Sequence, residues 1–497
     1  MGLAAPQTWR AFIPWALAAA TLLAVSRHWH SSGAGASTAA LSHRRLLLET
    51  PSVLALPGLT MLRLVRPNPL SSWEQIQVDQ HLQAHYDDVV PSGHEHSIVF
   101  SCSHPAERVA DLCPRAYRLI ISGPATLSPD FAQSSEQLDE RRVRVRFTIR
   151  DPGQYEVWAW PEHDNCDDFQ KAGTLYNKMV VRDSPLPLIV TGQPQHEPSE
   201  LCHPNEVNHG LEGRWLSKAH VNPEHLAIES PHFSWLASQL QPTSNTPGTT
   251  IYNHFWAPYQ CKIPHRTFAD WLNTIKADSI VFFGDSVIRD TFCLVVWTEL
   301  FGKPEAGQTC HYNSDTGPTG YHTTNKEGTY QRSDGGTTKL YFFWTPDGKG
   351  DAVASALESL PHPPTHVLFS SALWLATHPP EQYVRDLTPA MEALERLAPR
   401  AKTFVRGSAG VVQAIQCYDR IGGQRFQLEA NNAALQNAIA TSHPTLRYFD
   451  AYDTLNSHPA SSSDGRHWGT VGLLVHERPQ LGAGEYALLD RLFYAWS

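Results

Sequence analysis

Ser286 follows an apolar run, Ser279-Ile280-Val281-Phe282-Phe283, from which only Gly284 and Asp285 separate it. The run reads as a buried strand, and the residues from Val287 through Ile288 and Arg289 to Asp290 read as the opening of a helix. Glycine permits a tight turn between the two, which sets the serine at the strand's end and the helix's start. A helix N-terminus offers backbone N–H groups and a partial positive charge to an oxyanion forming beside Ser286. Arg289, one turn on, shares that helical face and is a candidate ligand for an acceptor oxygen or a developing negative charge. Gly284 and Asp285 join it as oxyanion or substrate-binding candidates. Taken alone, the tripeptide suits equally well a serine N-cap followed by a solvated arginine.

A serine hydroxyl needs a base, and Asp464-Gly465-Arg466-His467-Trp468 supplies one. An aspartate three residues before a histidine can curl back to hold one ring nitrogen while the other faces the nucleophile. With 26 histidines in the chain, an isolated pair of this kind says little. Its position on a loop after the last strand, opposite an N-terminal nucleophile, says more.

The elements that must position these residues follow from apolar patterning. After Gly192, short apolar strands at Ser279 to Phe283, Lys339 to Phe343, Thr365 to Phe369, Lys402 to Val405 and Leu446 to Phe449 alternate with helical stretches such as Asp351 to Leu360 and Pro380 to Leu397. That alternation predicts an α/β domain over 193–497, with a mostly parallel sheet covered on both faces and its chemistry beyond the carboxyl ends of the strands. Ahead of it, residues 94–192 alternate apolar and polar positions, as in Arg144-Val145-Arg146-Phe147-Thr148-Ile149, then turn at Asp151-Pro152-Gly153 and alternate again through Tyr155-Glu156-Val157-Trp158-Ala159-Trp160. Further strands are expected at Ile98 to Ser101, Arg118 to Ser122 and Met179 to Arg182, giving a small β-sandwich. It presents no acid, base or nucleophile set and reads as a spacer or a glycan- or protein-contacting module. Residues 31–93 lack sustained periodicity and are expected to be stem and linker.

Within residues 1–30, the uncharged run Ala11 to Ser26 predicts a signal-anchor helix behind a short cytoplasmic tail, with a cleaved signal as the alternative. Either would deliver the rest of the chain to the lumenal side of the secretory pathway. The eight cysteines include no CxxC pair, so disulfides are preferred to a zinc or redox site. A net charge of -10 argues against nonspecific nucleic-acid binding, and the histidines lack H-E-x-x-H or comparable metal-ligand spacing.

The Gly284-Asp285-Ser286 turn and Asp464-x-x-His467 resemble the first and last conserved blocks of the SGNH/GDSL hydrolases. More narrowly, Gly213-Arg214-Trp215, Tyr252, Phe255-Trp256, Cys261-Lys262-Ile263-Pro264, Arg289 and Trp468 are similar to the PC-esterase group. That group includes the trichome-birefringence-like polysaccharide O-acetyltransferases and the neurexophilin-and-PC-esterase proteins. The latter also place an immunoglobulin-like sandwich before the esterase domain, and Pro152-Gly153-Gln154-Tyr155-Glu156-Val157 with Asp183-Ser184-Pro185-Leu186-Pro187-Leu188-Ile189-Val190 resembles filamin-type repeats.

The resemblance implies Ser286 as the acyl-carrying nucleophile, His467 as base and Asp464 as its partner, in an SGNH-like three-layer α/β/α domain. It implies transfer of acetyl from acetyl-CoA or another donor to a polysaccharide or glycoprotein glycan, with no bound cofactor, in a Golgi or other secretory-pathway membrane protein of single-pass type II topology, or else a secreted one. An acetyl-donor transporter is a candidate partner. It also implies that Cys202 and Cys261 bracket the segment before the catalytic turn as a disulfide. The segment Phe369-Ser370-Ser371-Ala372-Leu373-Trp374 departs from relatives that carry an Asn or Thr-Gly-His there. Ser370, Ser371 or the loop from Gly317 to Gly320 is then left to supply the oxyanion donor, with plain structural roles as the alternative. Tyr252, Trp256 and Trp468 are sugar-stacking candidates, or else core residues. An acetyl esterase using the same site and an inactive glycan-binding or adhesion protein are the rival functions.

Overall fold

The computed structural model describes residues 77–129, 134–162, 179–193, 198–217, 254–302, 325–371, 373–409, 425–456, 470–471, 480–481 and 483–497. The apolar run Ala11 to Ser26 lies outside the described residues, and among those described no helix is long and apolar enough to cross a membrane. The chain is a mixed α/β protein.

Strict alternation makes the first part of the chain β-structure. Val143, Val145 and Phe147 turn inward while the arginines between them face out, as a half-buried pleated strand requires. The strands are β1 (Gln77–Asp79), β2 (Leu82–His85), β3 (Val89–Pro91), β4 (Glu95–Cys102), β5 (Ala116–Ser122), β6 (Ala125–Leu127), β7 (Ser135–Asp139), β8 (Arg142–Thr148), β9 (Gly153–Glu162), β10 (Met179–Val181) and β11 (Leu186–Thr191). Two more, β12 (Gly213–Ser217) and β13 (His254–Pro258), follow. One sheet runs β2-β4-β8-β7 and the other β13-β12-β6-β5-β9-β11-β3. Ile98, Phe100 and Val145 from the first sheet meet Leu119, Ile121, Val157 and Leu188 from the second in one core.

This sandwich exceeds the expected limits of 94–192 at both ends. β2 and β3 fall in the stretch expected to be linker, where their runs are too short for a periodic signal, and pair with β4 and β11. β12 and β13 fall in the stretch expected to be α/β, and join the second sheet through β6.

The second half forms a six-stranded sheet. Its strands are β14 (Ser279–Gly284), β15 (Lys326–Gln331), β16 (Thr337–Trp344), β17 (His366–Ser370), β18 (Lys402–Arg406) and β19 (Leu446–Phe449), in the order β15-β16-β14-β17-β18-β19. All neighbours are parallel except the edge pair of β15 with β16. Its helices include α1 (Phe268–Ile275), α2 (Ser286–Asp290), α3 (Gly350–Glu358), α4 (Pro380–Leu397), α5 (Arg425–Ser442), α6 (Tyr452–Asn456) and α7 (Ala483–Trp496). Successive residues of β14 point to opposite faces. Ile280 and Phe282 pack with Phe268 and Trp271 of α1 and Phe493 and Trp496 of α7. Val281 and Phe283 pack with Leu357 of α3, Leu387 and Met391 of α4, and Leu435 of α5. Helices therefore cover both faces, which is why these strands are apolar without alternation.

The sandwich and the α/β sheet share a core, since Ala125, Trp215 and Trp256 belong to the cluster that contains Phe282 and Phe292. Arg214 is buried at this joint: its guanidinium donates to the Ala257 and Pro258 carbonyls at 3.1 and 3.2 Å and lies over the Tyr259 ring. Trp215 Nε1 donates to the Thr454 carbonyl at 2.9 Å, tying β12 to α6. Gly213 lies so close to Trp256 that an added Cβ would sit 2.6 Å from the indole. The Gly213-Arg214-Trp215 motif is thus an architectural joint. Disulfides link Cys102 to Cys113 and Cys202 to Cys261, and Cys293 is disulfide-bonded as well.

The half-buried Glu299, whose carboxyl is turned away from solvent, and the buried His366 make stability depend on pH. Burial pushes the Glu299 carboxyl up to about 9, against the opposing hydrogen bond from the Phe268 N–H. Burial also pushes His366 down to about 4, with Lys402 adding to the effect. Folded Glu299 keeps a proton that the unfolded chain releases above its ordinary value of 4.5, so stability falls as pH rises toward 9. Folded His366 stays neutral where the unfolded chain takes up a proton below 6.5, so stability also falls as pH drops toward 4. The two slopes oppose each other between 4.5 and 6.5, so the combined contribution of these two groups is level there and falls away on either side. Urea midpoints measured across pH are expected to drop on both sides, and Glu299→Gln is expected to flatten the alkaline limb alone.

Candidate active site

Gly284 ends β14 level with Trp344 of β16 and Ser370 of β17, so three strand ends meet at the carboxyl edge of the sheet. A side chain at 284 would run into the Ser370 carbonyl and Ile288, and glycine is required for that approach. The Gly284 carbonyl accepts from the Thr345 N–H at 2.9 Å, and the chain then turns into α2.

Asp285 is the N-cap. Its Oδ1 accepts from the Val287 N–H at 2.9 Å and its Oδ2 from the Leu373 N–H at 3.2 Å, so the buried carboxylate holds the helix start and the loop after β17 together. The cap is thus the residue before the serine. Ser286 is the first helical residue and is half-buried at the mouth of the turn.

Arg289 is buried and forks onto Asp290 Oδ1 through Nε at 3.0 Å and a terminal nitrogen at 2.7 Å, with its guanidinium 5.7 Å from the centre of the Trp344 ring. Its burial overturns the solvated arginine of the alternative reading. Beyond it the helix widens into a π-helical turn over Thr291–Val296 and is α-helical again over Trp297–Phe301. Thr291 donates back to the Val287 carbonyl at 2.9 Å, which loosens the helical ladder at that point.

Beneath this turn, Thr291 Oγ1 also lies 2.9 Å from Glu485 Oε2, and Glu485 receives both terminal nitrogens of Arg406 at 3.0 and 2.8 Å. All three side chains are fully buried. They join the end of β18, the helix of Ser286 and the start of α7. Asp464, His467 and Trp468 lie outside the described residues, as do Tyr252 and the loop from Gly317 to Gly320. Glu485, near the start of α7, meets the helical segment that follows Ser286.

Ser371 Oγ donates to the Thr345 carbonyl at 2.5 Å and thereby closes the turn after β16; it is a structural hydroxyl. Ser370 is buried in the last position of β17, and its carbonyl abuts Gly284. Trp256 is buried against Trp215, with ring centres 5.6 Å apart, and takes the core role of the two considered for it.

Among the described residues, Trp344 and Trp374 stand at the carboxyl edge, perpendicular with ring centres 6.4 Å apart. Sequence reasoning passed over both. The usable signal was a tryptophan placed at or just past the end of a parallel strand, where ligands gather. Among the described residues, no group of three or more His, Cys, Asp or Glu side chains could hold a metal ion.

No family model matches the chain, and no curated protein matches it either. Among solved structures, the sulfur carrier protein SoxY from Chlorobium limicola f thiosulfatophilum aligns at 14% identity over 25% of this chain and 92% of its own, with a TM-score of 0.14. Likeness at that level carries no argument about fold or activity.

Proposed function

We propose that the chain is a serine-dependent glycan O-acetyltransferase of the secretory pathway, anchored by its N-terminal segment, with Ser286, His467 and Asp464 as its triad. The reading takes the parallel sheet and its two helical layers as SGNH-like and the preceding sandwich as immunoglobulin- or filamin-like. The observation that carries it is the position of Ser286: first in a helix, half-buried, at the carboxyl end of an interior parallel strand, with the capping duty transferred to Asp285. A serine kept only for structure would be expected at the cap itself.

In the proposed reaction His467 takes the proton of Ser286 Oγ as that oxygen attacks the carbonyl carbon of the acetyl donor. The helix start stabilises the resulting oxyanion through its partial positive charge. Collapse of the tetrahedral adduct breaks the bond to the donor's leaving group, which departs with the proton from His467. A sugar hydroxyl then gives its proton to His467 and attacks the acetyl-serine, and Ser286 Oγ leaves with that proton. Asp464 holds the imidazole in the tautomer both steps require.

The test incubates the intact protein with an isotopically labelled acetyl donor and a panel of glycans, and follows the products by mass spectrometry. New acetyl esters that depend on both Ser286 and His467 are the expected result. Loss of acetyl from pre-acetylated glycans without transfer would replace the transferase with an esterase. Neither outcome, in protein that also fails to react with serine-directed probes, would leave a glycan-binding module and overturn the proposal.

A further inference from the structure

We infer that Trp374, Trp344 and Asn325 form a sugar subsite beside Ser286, with Trp374 as the platform on which one pyranose ring of the acceptor stacks. The inference deepens the acetyltransferase reading and rests on it for the ring's role as acceptor.

Trp374 is 43% exposed, unusual for the largest apolar side chain and unlike the buried Trp215, Trp256 and Trp271. Its backbone is not loose. The neighbouring Leu373 N–H is held by Asp285 Oδ2, the same carboxylate that caps the helix of Ser286. The indole is therefore carried on a short loop fixed to the nucleophile's own turn.

Trp344 stands edge-to-face with it, at an interplanar angle of 89°, from the strand end that pairs with Gly284. The perpendicular pair makes a corner with one wall against the protein and the Trp374 indole toward solvent. Asn325, exposed immediately before β15, accepts from the Trp344 N–H through Oδ1 at 3.2 Å. That bond fixes the amide's orientation and leaves its NH2 donors as the groups that meet a ligand.

A flat apolar face, with an oriented amide held on the backbone of the neighbouring Trp344, matches the two halves of a pyranose, its C–H face and its equatorial hydroxyls. An acyl chain would use the apolar face but not the amide, and an anion would use the amide but not the indole.

The experiment titrates the intact protein with short neutral oligosaccharides of β-linked glucose, xylose and mannose, reading intrinsic tryptophan fluorescence and confirming binding by calorimetry. Trp374→Ala is expected to weaken the strongest of these by about tenfold or more, Trp374→Phe to retain most of the affinity, and Asn325→Ala to lose several-fold. Because Trp374 and Asn325 lie at the surface, both variants are expected to melt with the wild type. Wild-type affinity left unchanged in Trp374→Ala, or no binding of any of the three sugars by the wild type, would overturn the subsite. Reaction of wild-type Ser286 with a fluorophosphonate probe, measured in parallel, reports the catalytic reading by itself, so that failure of the subsite and failure of the nucleophile are distinguished.

Discussion

Ser286→Ala is expected to abolish fluorophosphonate labelling of the intact protein and to lower acetyl transfer on the order of 10⁴-fold or more, as removal of a catalytic nucleophile does elsewhere. The same substitution is expected to leave thermal stability nearly unchanged. Asp285, not Ser286, caps the helix, and it does so with a carboxylate that also fastens the loop after β17. Alanine at the first helical position is compatible with α-helix, and the side chain removed is small and only half-buried. A loss of labelling accompanied by a large fall in melting temperature would instead mark Ser286 as a structural hydroxyl. Asp285→Ala supplies the contrast. It should destabilise by about 1–3 kcal/mol through the unsatisfied helix start and the freed loop, and reduce labelling only indirectly.

Arg406→Met is the substitution expected to cost the most stability, about 3–5 kcal/mol in urea unfolding, because it strands the Glu485 carboxylate in the interior. Arg406 and Glu485 are both fully buried and meet through two nitrogens and two oxygens, with Thr291 on one of those oxygens. The geometry satisfies the pair, but neither charge tolerates the loss of the other. The double variant Arg406→Met/Glu485→Leu is therefore expected to recover much of the loss, since apolar replacements of both partners leave no buried charge. The pair also joins the helix of Ser286 to the helix that follows Asp464 and His467 in the chain. Labelling of Ser286 in the single variant should accordingly fall more than its remaining folded fraction accounts for. Labelling that tracks the folded fraction alone would confine the pair to a structural role.

The strands of the α/β sheet were legible because each centres on a short cluster of large apolar residues between breakers. Ser279 to Phe283, Lys339 to Phe343 and Lys402 to Val405 all lie within observed strands. The sandwich was legible in β8 and β9, where alternation is long enough to register, and not in β2 and β3, which are four and three residues. β12 and β13 could not be assigned to a sheet at all. They pair with each other, but β6, the strand that ties β12 to the sheet, lies far upstream, and a strand's neighbours are not encoded in its own periodicity.

What the sequence by itself determined was the most local part of the candidate site: a buried strand, a glycine at its end that permits a tight turn, and a serine at the start of the helix that follows. It also determined the α/β class, since unbroken apolar runs require helices on both faces. Only the tertiary structure decided which side chains are walls and which are surfaces. Arg289 is paired inside, Trp256 belongs to the core, and Trp374 stands exposed beside the turn. The reason is physical. Exposure, and the pairing of charges 79 residues apart such as Arg406 and Glu485, depend on which elements cover a side chain, and that is a property of the packed layers and not of the residues beside it in the chain.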